Sequence, residues 1–166
     1  MAKITLGGNP ANTIGELPNT NIQAPDFKLT ATDMSSKTLN DFKDHKLVLN
    51  VFPSVDTGVC AQSIKTFNKE AANVHNTKVL CISRDLPFAQ QRFCGAEGID
   101  NVVMLSDFKT GNFGKDYGLE MADSVFEGLH SRCVLVLDEN GTIVYTEQVP
   151  EIGQEPNYKA ALAALK

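Results

Sequence analysis

Tryptophan is absent from this 166-residue chain, histidine occurs only three times, and no two of the four cysteines stand in a Cys-x-x-Cys pair. Without that pair a structural zinc site and a thioredoxin-type dithiol motif both lose their usual sequence support. No apolar run approaches the roughly 18 residues that a membrane helix needs. Basic residues are in deficit, 15 against 20 acidic, for a net charge of -5. That balance argues against a general nucleic-acid or anionic-membrane binder, which needs a basic face to displace counterions. The first residues, Met1 to Gly8, carry no apolar core of signal-peptide length, so the expected location is the cytoplasm.

What is present fits a soluble globular protein. The hydrophobic fraction is 42%, charged residues make up 21%, and there are only seven prolines. A chain of this length buries about two-thirds of its unfolded surface in one core, and the simplest division is a single domain over residues 1–166. Four cysteines are too few for a disulfide scaffold of this size. In a reducing compartment a thiol that matters is more often catalytic, redox-active or metal-bound.

The order of elements is read from periodicity. Lys3 to Leu6 and Asn12 to Ile14 flank Gly7-Gly8-Asn9-Pro10 as a small N-terminal hairpin, and Asp26 to Ala31 alternates as a half-buried strand. Leu39 and Phe42 anchor a short turn. Leu47 to Phe52 is nearly all apolar, as a strand covered on both faces should be. From Cys60 the period becomes helical: Cys60, Ile64, Phe67, Ala71 and Val74 fall within about 80° of one another at 100° per residue. This helix is expected to run to Asn76.

Lys78 to Ser83 is a second buried strand. Asp85 is the expected N-cap of a helix over Leu86 to Phe93, with Pro87 tolerated in its first turn and Gly95 stopping it just after Cys94. Val102 to Leu105 is a strand and Asn112 to Tyr117 a short helix, while Gly118 to His130 reads as loop. Arg132 to Leu137 and Thr142 to Thr146 form a hairpin on the Asn140-Gly141 turn, and Tyr158 to Leu165 closes the chain as a helix. The pattern describes a three-layer α/β fold with a central mixed sheet.

The chemistry concentrates in Pro53-Ser54-Val55-Asp56-Thr57-Gly58-Val59-Cys60, a strand-to-helix turn that ends in a thiol. The free N–H groups and dipole of a helix start stabilise a thiolate, which makes Cys60 a candidate nucleophile. A buried structural thiol is the plain alternative. Thr57 can offer a hydroxyl one turn earlier, and Pro53 can wall a pocket without presenting a donor. Arg132 stays charged and offers several N–H groups, although pairing with a carboxylate such as Asp138 or Glu120 would be its ordinary role.

Pro53, Thr57 and Cys60 in Pro-x-x-x-Thr-x-x-Cys, followed by Arg132 at a later strand, resemble the peroxiredoxins, which share the thioredoxin-like fold. The strings NVFPSVDTGVC and DLPFAQQRFCGAEG narrow the resemblance to the bacterial thiol peroxidase branch, an atypical two-cysteine class, over nearly the whole chain. The resemblance implies Cys60 as the peroxidatic thiol, Cys94 as the resolving thiol, and Thr57, Arg132 and Pro53 as the other catalytic positions. It implies hydroperoxide substrates with organic ones favoured, thioredoxin as the reductant, a homodimer, and neither cofactor nor metal. Cys60 and Cys94 stand 34 positions apart on different helices, so a disulfide between them requires local unwinding.

Cys81, inside Val-Leu-Cys-Ile, and Cys133 read as packing residues, with alternation turning Cys133 to the sheet face opposite Arg132. His45, His75 and His130 show no ligand spacing and read as polar surface residues. A cysteine hydrolase would require one of them as base, and no motif places any. A redox sensor would share the thiol chemistry and differ in stalling after a single oxidation.

Overall fold

A computed structural model describes residues 1–166. Seven strands form one mixed sheet, and two more form a separate N-terminal hairpin. The hairpin pairs β1 (Lys3–Leu6) with β2 (Asn9–Asn12). Its turn is Gly7-Gly8, both at positive φ, so Asn9 and Pro10 belong to the second strand and not to the expected four-residue turn.

The main sheet is built from β3 (Leu29–Ala31), β4 (Ser36–Lys37), β5 (Lys46–Val51), β6 (Thr77–Ser83), β7 (Val103–Ser106), β8 (Cys133–Leu137) and β9 (Ile143–Gln148), in the order β4-β3-β7-β6-β5-β8-β9. The centre, β7-β6-β5, is parallel, and the flanking pairs are antiparallel. The helices are α1 (Gly58–Ala71), α2 (Pro87–Glu97), α3 (Asn112–Asp116) and α4 (Tyr158–Ala163), with a 3-10 turn at Leu39–Phe42.

Side-chain alternation sorts the central strands into two cores. Leu47, Leu49 and Val51 of β5, with Cys133, Leu135 and Leu137 of β8, face Phe113 of α3 and Tyr117 just after it. Val48 of β5, with Val134 and Val136 of β8, faces Cys60, Ile64 and Phe67 of α1 and Ala161 of α4, and Phe93 and Cys94 of α2 pack against the same cluster. Both faces of the sheet are thus covered, which explains why β8 is apolar throughout and β5 is apolar from Leu47 to Val51 except at Asn50. Phe67 meets Tyr158 of α4 edge-on, ring centroids 5.1 Å apart.

Four local expectations need correction. Helix α1 stops at Ala71, and Asn76 lies beyond it at φ +53°, in the turn leading to β6. The N-cap of α2 is Leu86, because the carboxylate of Asp85 is used elsewhere. Gly95 does not end α2; the left-handed residue is Gly98 at φ +65°, whose N–H bonds back to the carbonyl of Cys94. Cys94 therefore sits inside the last turn of the helix.

The fourth correction is His130, which is fully buried. Its Nε2 lies 2.8 Å from Oδ2 of Asp107, which accepts the Gly114 N–H at the start of α3. The segment before it, expected as loop, touches the fold through single bridges, Thr13 with Met121 and Glu120 with His130.

Candidate active site

The parallel strands β5, β6 and β7 all finish at one end of the sheet, where Val51 is level with Ile82, and Ser83 with Ser106. Because β8 runs antiparallel to β5, it begins at that same end, with Cys133 opposite Val51. The turn after β5, the turn after β6 and the residue before β8 therefore converge. Crevices at the carboxyl ends of parallel strands are where α/β folds gather their chemistry.

Pro53 is buried at the start of the turn after β5. Thr57 is the N-cap of α1, with extended backbone at φ -97° and ψ 141°. Its hydroxyl donates to the carbonyl of Ser54 at 3.1 Å and makes no hydrogen bond to Cys60. The first intrahelical bond runs from Ala61 N to the Thr57 carbonyl at 3.0 Å, which leaves the N–H groups of Gly58, Val59 and Cys60 without acceptors, as expected for a first helical turn. Cys60 follows in that first turn with no exposed surface.

Arg132 reaches this sulfur from the position just before β8. It lies on the face of Val134 and away from Cys133, so the alternation read from the sequence holds. Nη2 of Arg132 donates to Cys60 Sγ at 3.1 Å, and Nε donates to the carbonyl of Ile152 at 2.7 Å. The side chain is only 2% exposed, and neither Asp138 nor Glu120 pairs with it. Nη1 is buried without a partner. The backbone of Arg132 is equally fixed, since its carbonyl accepts from Val149 N at 3.0 Å and Gln148 Nε2 at 3.1 Å. One guanidinium is thus held by its edge, placed on a thiol, and left with unspent donors.

A second polar chain supports the helix from beneath. Ser63 Oγ donates to the carbonyl of Cys60 at 2.9 Å and accepts from Asn50 Nδ2 at 3.3 Å, and Asn50 is also 3.7 Å from Cys81 Sγ. All four thiols are free. Burial pushes the Cys81 thiol up to about 12 and the Cys133 thiol higher still, so both are protonated packing groups near neutral pH. Cys94 is half-buried, and its thiol is also raised by burial.

The structure thus brings Pro53, Thr57, Cys60 and Arg132 to one place and puts Cys94 on a neighbouring helix over the same core cluster. The carbonyl of Ile152, which anchors Arg132, had no sequence signal, because it comes from an irregular segment after β9. Asn50 and Ser63 could have been found as the two polar residues at otherwise apolar-facing positions of β5 and α1. A cavity of about 600 Å³ lies elsewhere, between the Leu39–Phe42 turn and the Asp138 to Gly141 turn.

The Redoxin family model matches residues 19–162. A thiol peroxidase of Mycobacterium tuberculosis is 53% identical over 165 residues, covering 99% of both chains. The chain belongs to the Redoxin family, among the thiol peroxidases. A thiol peroxidase of Corynebacterium glutamicum is 52% identical over the same span. Among solved structures, a peroxiredoxin-like protein from Aquifex aeolicus superposes with a TM-score of 0.93 at 34% identity, covering 99% of this chain and 96% of that one. The mixed α/β sheet of this Redoxin member is therefore the thioredoxin-like architecture its relatives share. No helix is long and apolar enough to cross a membrane.

Proposed function

We propose that this chain, working as one domain over residues 1–166, is a thioredoxin-dependent peroxidase that reduces organic hydroperoxides and hydrogen peroxide at Cys60. The observation that carries the reading is the 3.1 Å contact from Arg132 Nη2 to Cys60 Sγ, in a buried setting where Nη1 still has donors to give.

The Cys60 thiolate attacks the terminal oxygen of ROOH. The S–O bond forms as the O–O bond breaks, sulfur loses two electrons, and the departing RO⁻ takes a proton to leave as ROH. Arg132 Nη1 and the free N–H groups of the first turn of α1 are the donors for the charge that develops on the leaving oxygen. Thr57 serves by its hydroxyl after turning from the Ser54 carbonyl, and Pro53 walls the site. Since Cys60 has no exposed surface, the Pro53 to Thr57 turn must shift to admit substrate.

Cys94 then attacks the sulfenic sulfur, forming the Cys60–Cys94 disulfide and expelling hydroxide, which leaves as water once protonated. Burial keeps the Cys94 thiol protonated in the closed fold, and unwinding the last turn of α2 both frees the group and relieves that shift. Thioredoxin, a dithiol, restores the two thiols by exchange and departs as its own disulfide. A homodimer in the cytoplasm completes the reading. The dimer's support is a pair of exposed apolar side chains: Phe88 is 64% and Val125 90% exposed, on segments whose nearby residues Arg84 and Gly128 are joined by a bond from Nη1 to the carbonyl at 3.2 Å.

Peroxide consumption coupled to thioredoxin, thioredoxin reductase and NADPH tests the proposal. Turnover is expected for the parent, and its abolition in Cys60→Ser; full turnover by that variant would end the idea.

A further inference from the structure

Asp85 was expected to cap α2, and the structure assigns it a different task. Its carboxylate reaches across to the turn that precedes Cys60: Oδ1 accepts from Ser54 Oγ at 2.7 Å, and Oδ2 accepts from Val55 N at 2.9 Å. The same Oδ2 accepts from Ser83 Oγ at 2.6 Å, at the end of β6. The carbonyl of Asp85 accepts from Ser106 Oγ at the end of β7. Ser83 Oγ in turn accepts from Nε2 of Gln90, a fully buried residue of α2 that also bonds the Leu105 carbonyl at 2.9 Å.

One half-buried carboxylate two residues before α2 thus joins the turn that presents Cys60 to the helix that carries Cys94. The outer ties between the same pieces are weaker. Arg92 of α2 approaches Asp56 of the turn at 3.5 Å, and Lys65 of α1 approaches Glu97 at 2.9 Å; all four side chains are well exposed. Exposed ion pairs contribute little, whereas a carboxylate accepting several sheltered donors is a strong holder of geometry.

We propose that Asp85 is a positioning residue that latches the Cys60 turn to the base of α2, favouring attack on peroxide over the opening that joins Cys60 to Cys94. The inference rests on the proposed roles of Cys60 and Cys94. With the latch closed, the turn holds the thiolate and its donors in register. Releasing it loosens the turn and the start of α2 together, which slows sulfenic acid formation and speeds disulfide formation. Because a sulfenic acid that waits is open to a second peroxide, the latch also sets how readily Cys60 is over-oxidised.

The test uses the full chain with Asp85→Ala and Asp85→Asn, mixed with cumene hydroperoxide and followed by rapid quench and mass spectrometry of Cys60. Asp85→Ala is expected to slow sulfenic acid formation about tenfold, the loss of one strong hydrogen bond's worth of positioning. Disulfide formation is expected to rise severalfold and the over-oxidised fraction at fixed excess peroxide to fall. Asp85→Asn keeps the shape and one acceptor oxygen and should fall between.

Both rates within twofold of the parent in both variants would overturn the proposal. So would both steps slowing together, the signature of general damage, or a rise in over-oxidation. If Asp85→Ala does not fold, Asp85→Asn alone decides. A parent that forms no Cys60–Cys94 disulfide removes the functional reading and this inference with it. A parent that forms it, with variants that match the parent, removes the inference alone.

Discussion

Replacing Arg132 by methionine separates the two things a buried guanidinium can do, hold the fold or serve the thiol. The residue is 2% exposed and makes two side-chain hydrogen bonds, from Nε to Ile152 O and from Nη2 to Cys60 Sγ. Methionine fills a similar volume without donors. The substitution leaves the buried Ile152 carbonyl without its donor, so the urea midpoint should correspond to a loss of about 1–3 kcal/mol, with the fold kept. The reaction should suffer far more. Loss of a charge-assisted bond to the sulfur removes about 1.5–3 kcal/mol, and loss of a preorganised donor at the departing oxygen alone costs about 10²–10³ in rate. The expected outcome is a second-order rate with peroxide about 10²–10³ lower, measured in single turnover, with the fold retained. Arg132→Lys keeps the charge but cannot reach Ile152 and Cys60 together, and should be slowed by about tenfold or more. A methionine variant keeping more than a third of the parent rate, or losing activity only in proportion to the unfolded fraction, would refute the assignment of Arg132.

Gly98→Ala introduces a Cβ into open space at φ +65°, so its effect is on the backbone alone, about 1–2 kcal/mol against the C-terminal end of α2. Amide exchange at Gly98 and Ile99, both bonded to the Cys94 carbonyl, should accelerate, and disulfide formation with it. Glu151 accepts from Thr5, Gly153, Gly7 and Gly8, and these bonds hold its carboxyl down to about 2 from its usual 4.5. A depressed carboxyl stabilises the fold above its unfolded value and loses that contribution as pH falls toward 2. Protection of the Gly7 and Gly8 amides, taken relative to their exchange rate in an unfolded chain at the same pH, should therefore fall between about pH 4.5 and 2 in the parent and be low throughout that range in Glu151→Gln. Native-state alkylation near neutral pH should label neither Cys81 nor Cys133, both fully buried and protonated; labelling either before Cys94 would contradict the core described above.

The parts of the fold that were legible in the chain are those where a period meets a core. The run from Leu47 and the alternation after Arg132 are apolar because both sheet faces are covered, and the stripe from Cys60 through Phe67 is the buried face of α1. What failed were signals whose meaning depends on distant partners. Gly95 resembles a helix stop, but a helical glycine is tolerated at about 1 kcal/mol, and the true stop was the next glycine, Gly98. Asp85 resembles an N-cap until the sheet order is known, because only the side-by-side ends of β5 and β6 put its carboxylate on the turn before Cys60.

The burial of His130 has the same kind of origin. Its partner Asp107 lies 23 positions away in sequence, and nothing near it marks the pair. At the site, the helix-start thiol was readable from local chemistry. The meeting of Arg132 with Cys60 followed from the antiparallel start of β8 beside the end of β5, a relation of topology that single-chain periodicity does not contain.

The central claim is that Cys60 takes the oxidation and Cys94 resolves it, although the two lie on separate helices with all thiols free in the closed fold. Non-reducing peptide mapping after one equivalent of peroxide tests it most directly. The account predicts one intramolecular link, between the peptides carrying Cys60 and Cys94. A Cys60 link to Cys133, or a link between two chains, would contradict it.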